Sequence, residues 1–214
     1  MFEQLLSVFL QSQCPFCQRT TPQTICQYCL EKISSHRLGK AARQSIDKKM
    51  PVFAWGKYDG QLKRAIALMK YNNHPEIGIV LGQLLAKAWL ENNLLDSQEI
   101  GVVPIPLHPQ KQKERGFNQA EKIAKGFCQI TGCCLHSQTL VRVKNTKAMF
   151  ALNPKERVSN LRGAFNVGKK LPSHPILLLD DVYTTGMTVK ESSKILSQYE
   201  IKVIGSAVVA KTNL

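Results

Sequence analysis

The feature that most constrains this 214-residue chain is an apolar run at 176–179 that leads directly into two aspartates and a threonine-rich turn. A short, continuous apolar run bounded by polar residues is typical of a strand covered on both faces of a parallel sheet. In open α/β sheets, ligands bind beyond the carboxyl ends of the strands. The residues that follow position 179 are therefore predicted to lie at a ligand site.

The chemistry of these residues suits a sugar phosphate. Asp180 and Asp181 would repel a phosphate, but they suit ribose hydroxyls, or a magnesium ion held through water. Gly186 lets the backbone approach a ligand closely, and the amides at the start of the following helix favour an anion. Further hydroxyl groups come from Thr184, Thr185 and Thr188. The alternative is an ordinary strand-to-helix turn in which Asp and Thr cap the helix.

The rest of the chain alternates between strand and helix patterns. Strands are predicted over 52–58, 100–103, 140–143, 176–179 and 203–209. Helices are predicted from about 62 to 71 and over 76–91, 118–130, 154–161 and 188–197. This order predicts an α/β fold with a mostly parallel, doubly wound sheet flanked by helices.

Four of the seven cysteines form two Cys-x-x-Cys pairs, which are separated by eight residues. Such pairs grip one tetrahedral ion from tight turns, so Cys14, Cys17, Cys26 and Cys29 are predicted to bind a structural zinc ion. The alternative is a redox dithiol, or cysteines spaced this way by chance. The pairs and a polar, basic linker predict a small module over 1–50 and a main domain over 51–214. No metal-ligand spacing is present among the five histidines.

The net charge of +14 is concentrated in one region. Residues 110–170 hold 13 basic and 3 acidic groups, whereas 51–109 and 171–214 are each neutral overall. A local positive field favours a polyanion or a phosphorylated small molecule, although a solvated cationic face is the alternative. The candidates for binding single-stranded nucleic acid are Lys111, Lys113, Arg142, Lys144, Lys147, Arg157 and Arg162.

Membrane insertion and export are not predicted. No stretch reaches 18 consecutive apolar residues, and the apolar start of the chain lacks the basic region and cleavage site of a signal peptide. We therefore expect a cytoplasmic protein.

The aspartate–threonine string resembles the ribose-phosphate loop of type I phosphoribosyltransferases. Three further motifs, Val-Pro-Ile-Pro-Leu-His at 103–108, Glu-Arg-Gly-Phe-Asn-Gln-Ala at 114–120 and Asn-Leu-Arg-Gly-Ala-Phe at 160–165, together with the cysteine pairs, resemble the ComF family. This family comprises competence-associated proteins of naturally transformable bacteria. The resemblance covers essentially the whole chain and departs from the family at Met149, where Gln is usual.

The resemblance implies a domain that binds phosphoribosyl pyrophosphate with magnesium. Asp180 and Asp181 would hold the ribose and act in catalysis, while Lys70 and Arg115 would join the turn residues in binding the ligand. It also implies a role in DNA uptake, with a competence helicase or recombination protein as partner. The alternative is a non-catalytic module that binds single-stranded DNA, in which the phosphoribosyl site is regulatory or vestigial.

Overall fold

The computed structural model describes residues 12–43, 50–92, 99–145 and 161–212. The strands in these ranges are β1 Ser12–Gln13, β2 Thr20–Thr21, β3 Val52–Lys57, β4 Gly101–Pro104, β5 Cys134–Leu135, β6 Leu140–Arg142, β7 Phe165–Val167, β8 Ile176–Tyr183 and β9 Val203–Lys211. The α-helices are α1 Gln27–Ser34, α2 Gly60–Tyr71, α3 Pro75–Glu91, α4 Pro109–Arg115, α5 Gln119–Thr131 and α6 Met187–Ser197. A short 3-10 helix covers Lys40–Ala42.

Five strands form one sheet in the order β3-β9-β8-β4-β5, and every neighbouring pair is parallel. Parallel strands need crossover connections, and the helices of the main domain supply them. Two small antiparallel pairs, β1–β2 and β6–β7, lie outside this sheet. The predicted α/β fold with a parallel sheet is confirmed.

Helices cover both faces of the sheet, as alternate residues of β8 show. Leu177 and Leu179 are buried in the cluster formed with α2, α3 and α5. Ile176 and Leu178 are buried on the other face, where Leu196 of α6 packs. Burying both faces explains why this strand reads as a continuous apolar run rather than an alternating one.

Helices α3 and α5 pack so closely that their backbones touch. A Cβ atom on Gly82 would lie 2.0 Å from the carbonyl oxygen of Ile123, and one on Gly126 would lie 2.1 Å from that of Ile79. Only glycine fits at these two positions without moving a helix. The contact fixes α5, whose first residue faces the pocket described below.

Most of the predicted elements are confirmed within a few residues, but the end of β8 was predicted too early. The strand continues to Tyr183, because β9 keeps pairing with it: Asp180 lies opposite Val208 and Tyr183 opposite Lys211. The two aspartates are therefore part of the strand rather than of the turn that follows it. The basic helix predicted over 154–161 lies almost entirely outside the described residues.

The beginning of the predicted linker packs against the main domain. Arg43 is only 5% exposed, and its guanidinium donates hydrogen bonds to the carbonyl of Leu38 (2.9 Å) and the side-chain oxygen of Asn92 (2.9 Å). Glu91 accepts a further bond from Arg43 at 3.2 Å. The predicted boundary between the domains remains a prediction. Among the described helices, none has the length and apolar character needed to cross a bilayer.

Candidate functional sites: a cysteine cluster and a charged pocket

The four paired cysteines converge on one point. Cys14 and Cys17 flank the turn between β1 and β2, while Cys26 and Cys29 lie at the start of α1. Their sulfur atoms all lie within 4.8 Å of one another, and those of Cys17 and Cys26 are 3.6 Å apart. A tetrahedral zinc ion with bonds of about 2.3 Å holds its sulfur ligands about 3.8 Å apart. The geometry fits a structural metal such as zinc.

The surroundings of the cluster shift the pKa values of two of its thiols in opposite directions. Burial opposes ionisation of Cys14, but backbone hydrogen bonds from Cys26, Phe16 and Cys17 outweigh it and lower its pKa to about 6. A thiolate is the form that binds a metal. Burial raises the pKa of Cys29, and the neighbouring thiols raise it further. Four thiols and the absence of a harder ligand among them favour a soft or borderline ion.

The cysteine module contacts the main domain through α2. The guanidinium of Arg64 donates a hydrogen bond to the carbonyl of Phe16 (3.2 Å) and lies over the Phe16 ring. Phe16, Ile25 and Ile33 belong to the same buried cluster as the residues under α2. One side of this helix therefore supports the module, and its last turn carries Lys70 towards the pocket.

A pocket of about 290 Å³ opens at the carboxyl ends of β3, β4 and β8. Asp180 and Asp181 lie in it, and four cations surround them: Lys70, Lys111, Arg115 and Arg142. A second part of the lining is apolar and comes from α2 and the segment after β4, with Ile66, Ala67, Ile105 and Leu107. The location is the one expected for a ligand site in a parallel α/β sheet.

A buried ion pair joins Lys70 to Asp181 within this pocket. Burial would lower the pKa of Lys70, but the Asp181 charge and hydrogen bond outweigh this effect and raise it. Burial would likewise raise the pKa of Asp181, but Lys70 holds it below the ordinary value. Burial and then the adjacent Asp181 carboxylate raise the pKa of Asp180 well above its ordinary value. Asp181 therefore ionises more readily than Asp180.

The loop that brings Arg115 to the pocket is held by local caps. Helix α4 begins after His108, whose ring accepts a hydrogen bond from the Gln110 amide (3.3 Å), and ends at Gly116 in the left-handed region. The buried side chain of Asn118 then caps α5 and donates to the carbonyl of Ile105 (3.1 Å). These contacts tie α4 and α5 to the end of β4, and Arg115 bonds to Gln119 at the pocket wall.

The turn after β8 has the predicted glycine. Gly186 adopts φ = 72°, which favours glycine, and precedes α6 directly. A Cβ atom there would lie 2.3 Å from the Tyr183 hydroxyl, so a side chain would also collide with the aromatic ring. The turn can therefore present backbone amides and threonine hydroxyls at the helix start, where an anion is favoured.

Most of the predicted ligand-binding residues come together. Six of the eight line the pocket, namely Lys70, Arg115, Asp180, Asp181, Thr184 and Thr188, while Thr185 and Gly186 lie in the adjoining turn. Of the predicted nucleic-acid contacts, Lys111 and Arg142 also line it. Lys113, Lys144 and Arg162 are exposed elsewhere, and Lys147 and Arg157 lie outside the described residues, as does Met149.

Sequence reasoning missed several pocket residues. Gln119 belongs to the motif at 114–120 but was not predicted to line the site. The apolar wall formed by α2 was missed because a helical apolar face predicts burial without identifying what it packs against. Tyr71 was not among the predicted site residues either. It is 70% exposed at the pocket edge, and the Arg115 guanidinium lies over its ring, 5.6 Å from the centroid.

Comparison with known proteins gives several relatives. No protein-family model matches the chain. The chain is 28% identical over 207 residues to Competence protein F of Haemophilus influenzae, covering 91% of the chain and 89% of that protein. It is 29% identical over 196 residues to Competence protein ComFC of Streptococcus pneumoniae, covering 88% and 76% respectively. It is 30% identical over 145 residues to DNA utilization protein YhgH of Salmonella typhi, and this alignment spans 62% of the YhgH length.

The fold and the two sites define a class of α/β protein in which a parallel sheet carries a charged pocket at its carboxyl edge, and a four-cysteine cluster precedes the sheet in the chain. Relatives named for competence and DNA utilization align with most of its length, so the chain is similar to proteins of the ComF family.

Proposed function

We propose that the chain binds phosphoribosyl pyrophosphate in the pocket at the carboxyl edge of the sheet, as a phosphoribosyltransferase-type domain. The observation that carries this proposal is the pairing of two aspartates with a surrounding set of four cations in one pocket. Phosphoribosyl pyrophosphate has the matching charge pattern, with a neutral diol between two phosphorylated ends. Carboxylates at the centre would accept hydrogen bonds from the diol, and the cations would face the phosphates.

The turn after β8 supports the same orientation. The 5′-phosphate would meet the amides at the start of α6 and the hydroxyls of Thr184 and Thr188, where the helix dipole favours an anion. The pyrophosphate would then face Lys70 and Arg115, on the opposite side of the aspartates. This arrangement leaves the apolar wall next to the anomeric carbon, where an acceptor group would bind.

Ligand binding would rearrange the Lys70–Asp181 ion pair. Asp181 already has a cationic partner, so a hydroxyl or a magnesium ion would share or replace the ammonium group of Lys70. Oxygen ligands from one or two carboxylates are what magnesium uses in proteins, and the two aspartates supply them. Bound magnesium would neutralise charge on the pyrophosphate leaving group. Binding of the cation would lower the pKa of Asp180, which burial and the Asp181 carboxylate raise in the free site.

Calorimetry of the Asp181→Asn variant tests this proposal. The substitution keeps the size of the side chain and removes its charge, so the affinity for magnesium phosphoribosyl pyrophosphate should fall by about 1.5–3 kcal/mol, the usual cost of losing a hydrogen bond to a charged group. The matched control is Glu99→Gln, an exposed carboxylate outside the pocket. Thermal unfolding of both variants would show that the fold is retained.

The outcome that contradicts the proposal is equal affinity in the wild-type protein and Asp181→Asn. Titration with ribose 5-phosphate and with pyrophosphate separates the two ends of the ligand. Ribose 5-phosphate should still respond to the Asp181 substitution, whereas pyrophosphate alone should respond mainly to Arg115→Ala.

The second candidate function is binding of single-stranded DNA. Two observations favour it: relatives are named for competence and DNA utilization, and the basic region 110–170 has a net charge of +10. Lys113, Lys144 and Arg162 of this region are exposed, and Lys111 and Arg142 bring the same positive charge to the pocket. A helicase or recombination protein would be the partner in this role. Both functions can coexist, with the nucleic acid following the basic surface.

Replacing Lys113, Lys144 and Arg162 together by alanine should weaken binding of mixed-sequence oligonucleotides. Each lost phosphate contact lowers the log–log salt dependence by roughly 0.7, so the slope should become shallower by about 2. The matched control removes three exposed lysines outside the region, Lys87, Lys194 and Lys202, with the same change in net charge. An equal change of slope in both triple variants would argue against a local DNA site.

A further inference from the structure

Two histidines that are distant in sequence meet at one edge of the main sheet. His136 directly follows β5, and His174 lies two residues before β8. Their Nε2 atoms are 3.1 Å apart, and both side chains are partly buried. The described residues between them include the β6–β7 pair, which lies outside the main sheet, and we call residues 137–145 and 161–173 the β6–β7 excursion. The two histidines thus mark its beginning and its end.

The separation of the two nitrogen atoms matches what one metal ion requires. Imidazole nitrogens bind zinc at about 2.0–2.1 Å, so two of them on one ion lie about 2.9 Å apart at a right angle and about 3.4 Å apart at a tetrahedral angle. The observed 3.1 Å falls within this range. The ring planes are inclined by 59° with their centroids 5.1 Å apart, so the rings meet at their nitrogen edges rather than stacking.

The backbone around the histidines holds them in this arrangement. The amide of His136 donates to the carbonyl of Val102 (2.8 Å), and the amide of Gly101 donates to the carbonyl of Pro175 (2.9 Å). Both segments are therefore anchored to neighbouring residues of β4. Gly101 also gives the rings their space, since a Cβ atom there would lie 2.7 Å from the ring of His136 and 2.9 Å from Nε2 of His174.

We propose that His136 and His174 form a binding site for a divalent transition-metal ion, separate from the cysteine cluster and from the charged pocket. Imidazole suits zinc, nickel and copper, and water would complete the coordination. Burial, followed by the neighbouring His174, lowers the pKa of His136, which favours the neutral ring.

An ion bound by His136 and His174 would join the two ends of the β6–β7 excursion. The excursion carries Arg142 to the pocket, and its outgoing and returning segments already meet where Thr139 donates to the carbonyl of Lys170 (2.8 Å). A cross-link between two points of a chain stabilises the folded state by restricting the unfolded one. A bound ion would therefore cross-link the ends of the segment that brings Arg142 to the charged pocket.

Nickel titration of the untagged full chain, purified with its zinc, tests the site by calorimetry. The informative variants are His136→Gln and His174→Gln, because glutamine can still hydrogen-bond to the remaining histidine but is a poor ligand for nickel. Each should weaken binding by more than about tenfold, since even loss of an outer-shell partner typically costs 10- to 100-fold. The control is His74→Gln, which removes a partly exposed histidine outside the site and should leave the nickel affinity unchanged.

Histidine ring signals in NMR spectra provide a second readout. On addition of a diamagnetic ion such as zinc, the His136 and His174 signals should shift together and saturate at one equivalent. Unchanged nickel affinity in either glutamine variant would overturn the proposal and leave the pair as a hydrogen bond. A lack of any response of the two rings to zinc in the folded wild-type protein would overturn it as well.

Discussion

Replacement of Cys17 by serine is expected to abolish metal binding at the cysteine cluster and to loosen the module that the cluster holds. The four sulfur atoms lie within 4.8 Å of one another, so all four thiols can bind one ion. Structural zinc contributes about 10–16 kcal/mol to the folding of small zinc-dependent peptides. A segment of this size cannot bury enough apolar surface to replace that contribution.

Metal analysis and limited proteolysis measure the two parts of this result. The wild-type protein should contain about one zinc ion per chain, as a single four-cysteine site requires. Cys17→Ser should contain none and should be cleaved more readily around α1, while the parallel sheet stays folded. The matched control is Cys134→Ser, an exposed cysteine outside the cluster. Stoichiometric zinc in a Cys17→Ser, Cys29→Ser double variant would refute the assignment.

Replacement of Lys70 by alanine is expected to give the second-largest effect, a loss of stability of about 3–5 kcal/mol, as is typical when one partner of a buried ion pair is removed. The side chains of Lys70 and Asp181 are only 18% and 6% exposed, so solvent would screen the remaining carboxylate poorly. Lys63→Ala, an exposed position of the same helix, should change the stability little. Chemical denaturation of both variants gives the comparison.

The pH dependence of this difference has a definite sign. Lys70 holds the pKa of Asp181 below the ordinary value of 3.8, so the contribution of the pair is fully present above that value and is lost as the pH falls through the lowered pKa. The pKa of Lys70 is raised above 10.5, so the contribution of the pair to stability is fully present below pH 10.5 and is lost as the pH rises through the raised pKa. The gap between wild type and Lys70→Ala should therefore shrink in acid. A gap that widens in acid, or a loss of stability equal to that of Lys63→Ala, would contradict the role given to the pair.

Local sequence signals correctly predicted the start of β8 and the turn before α6, because each signal depends only on neighbouring residues. The apolar run at 176–179 and the glycine at the start of α6 both lie where expected. The end of β8 was missed because it depends on continued pairing with β9, and no pattern within β8 reports how far its partner extends. The short helix α4 was missed as well, since its caps at His108 and Gly116 follow from the loop geometry.

Contacts between distant residues could not be predicted from one sequence. The Lys70–Asp181 pair joins the end of α2 to β8, and the two histidines are 38 positions apart. Both contacts depend on how helices and strands pack, which periodicity does not encode. The cysteine cluster was predictable because its ligands come in short-range pairs, whose spacing alone indicates the chemistry.

Helix α2 contacts Phe16 beside the cysteine cluster through Arg64 and carries Lys70 into the pocket, so one helix links the two candidate sites. Coupling between two binding sites is reciprocal by thermodynamic necessity. If a metal ion in the cluster strengthens ligand binding in the pocket by some free energy, a ligand in the pocket strengthens metal binding by the same free energy. If the proposed phosphorylated sugar binds in the pocket, the fraction of this protein that keeps its metal in a cell would depend on the supply of that sugar as well as on the supply of the metal.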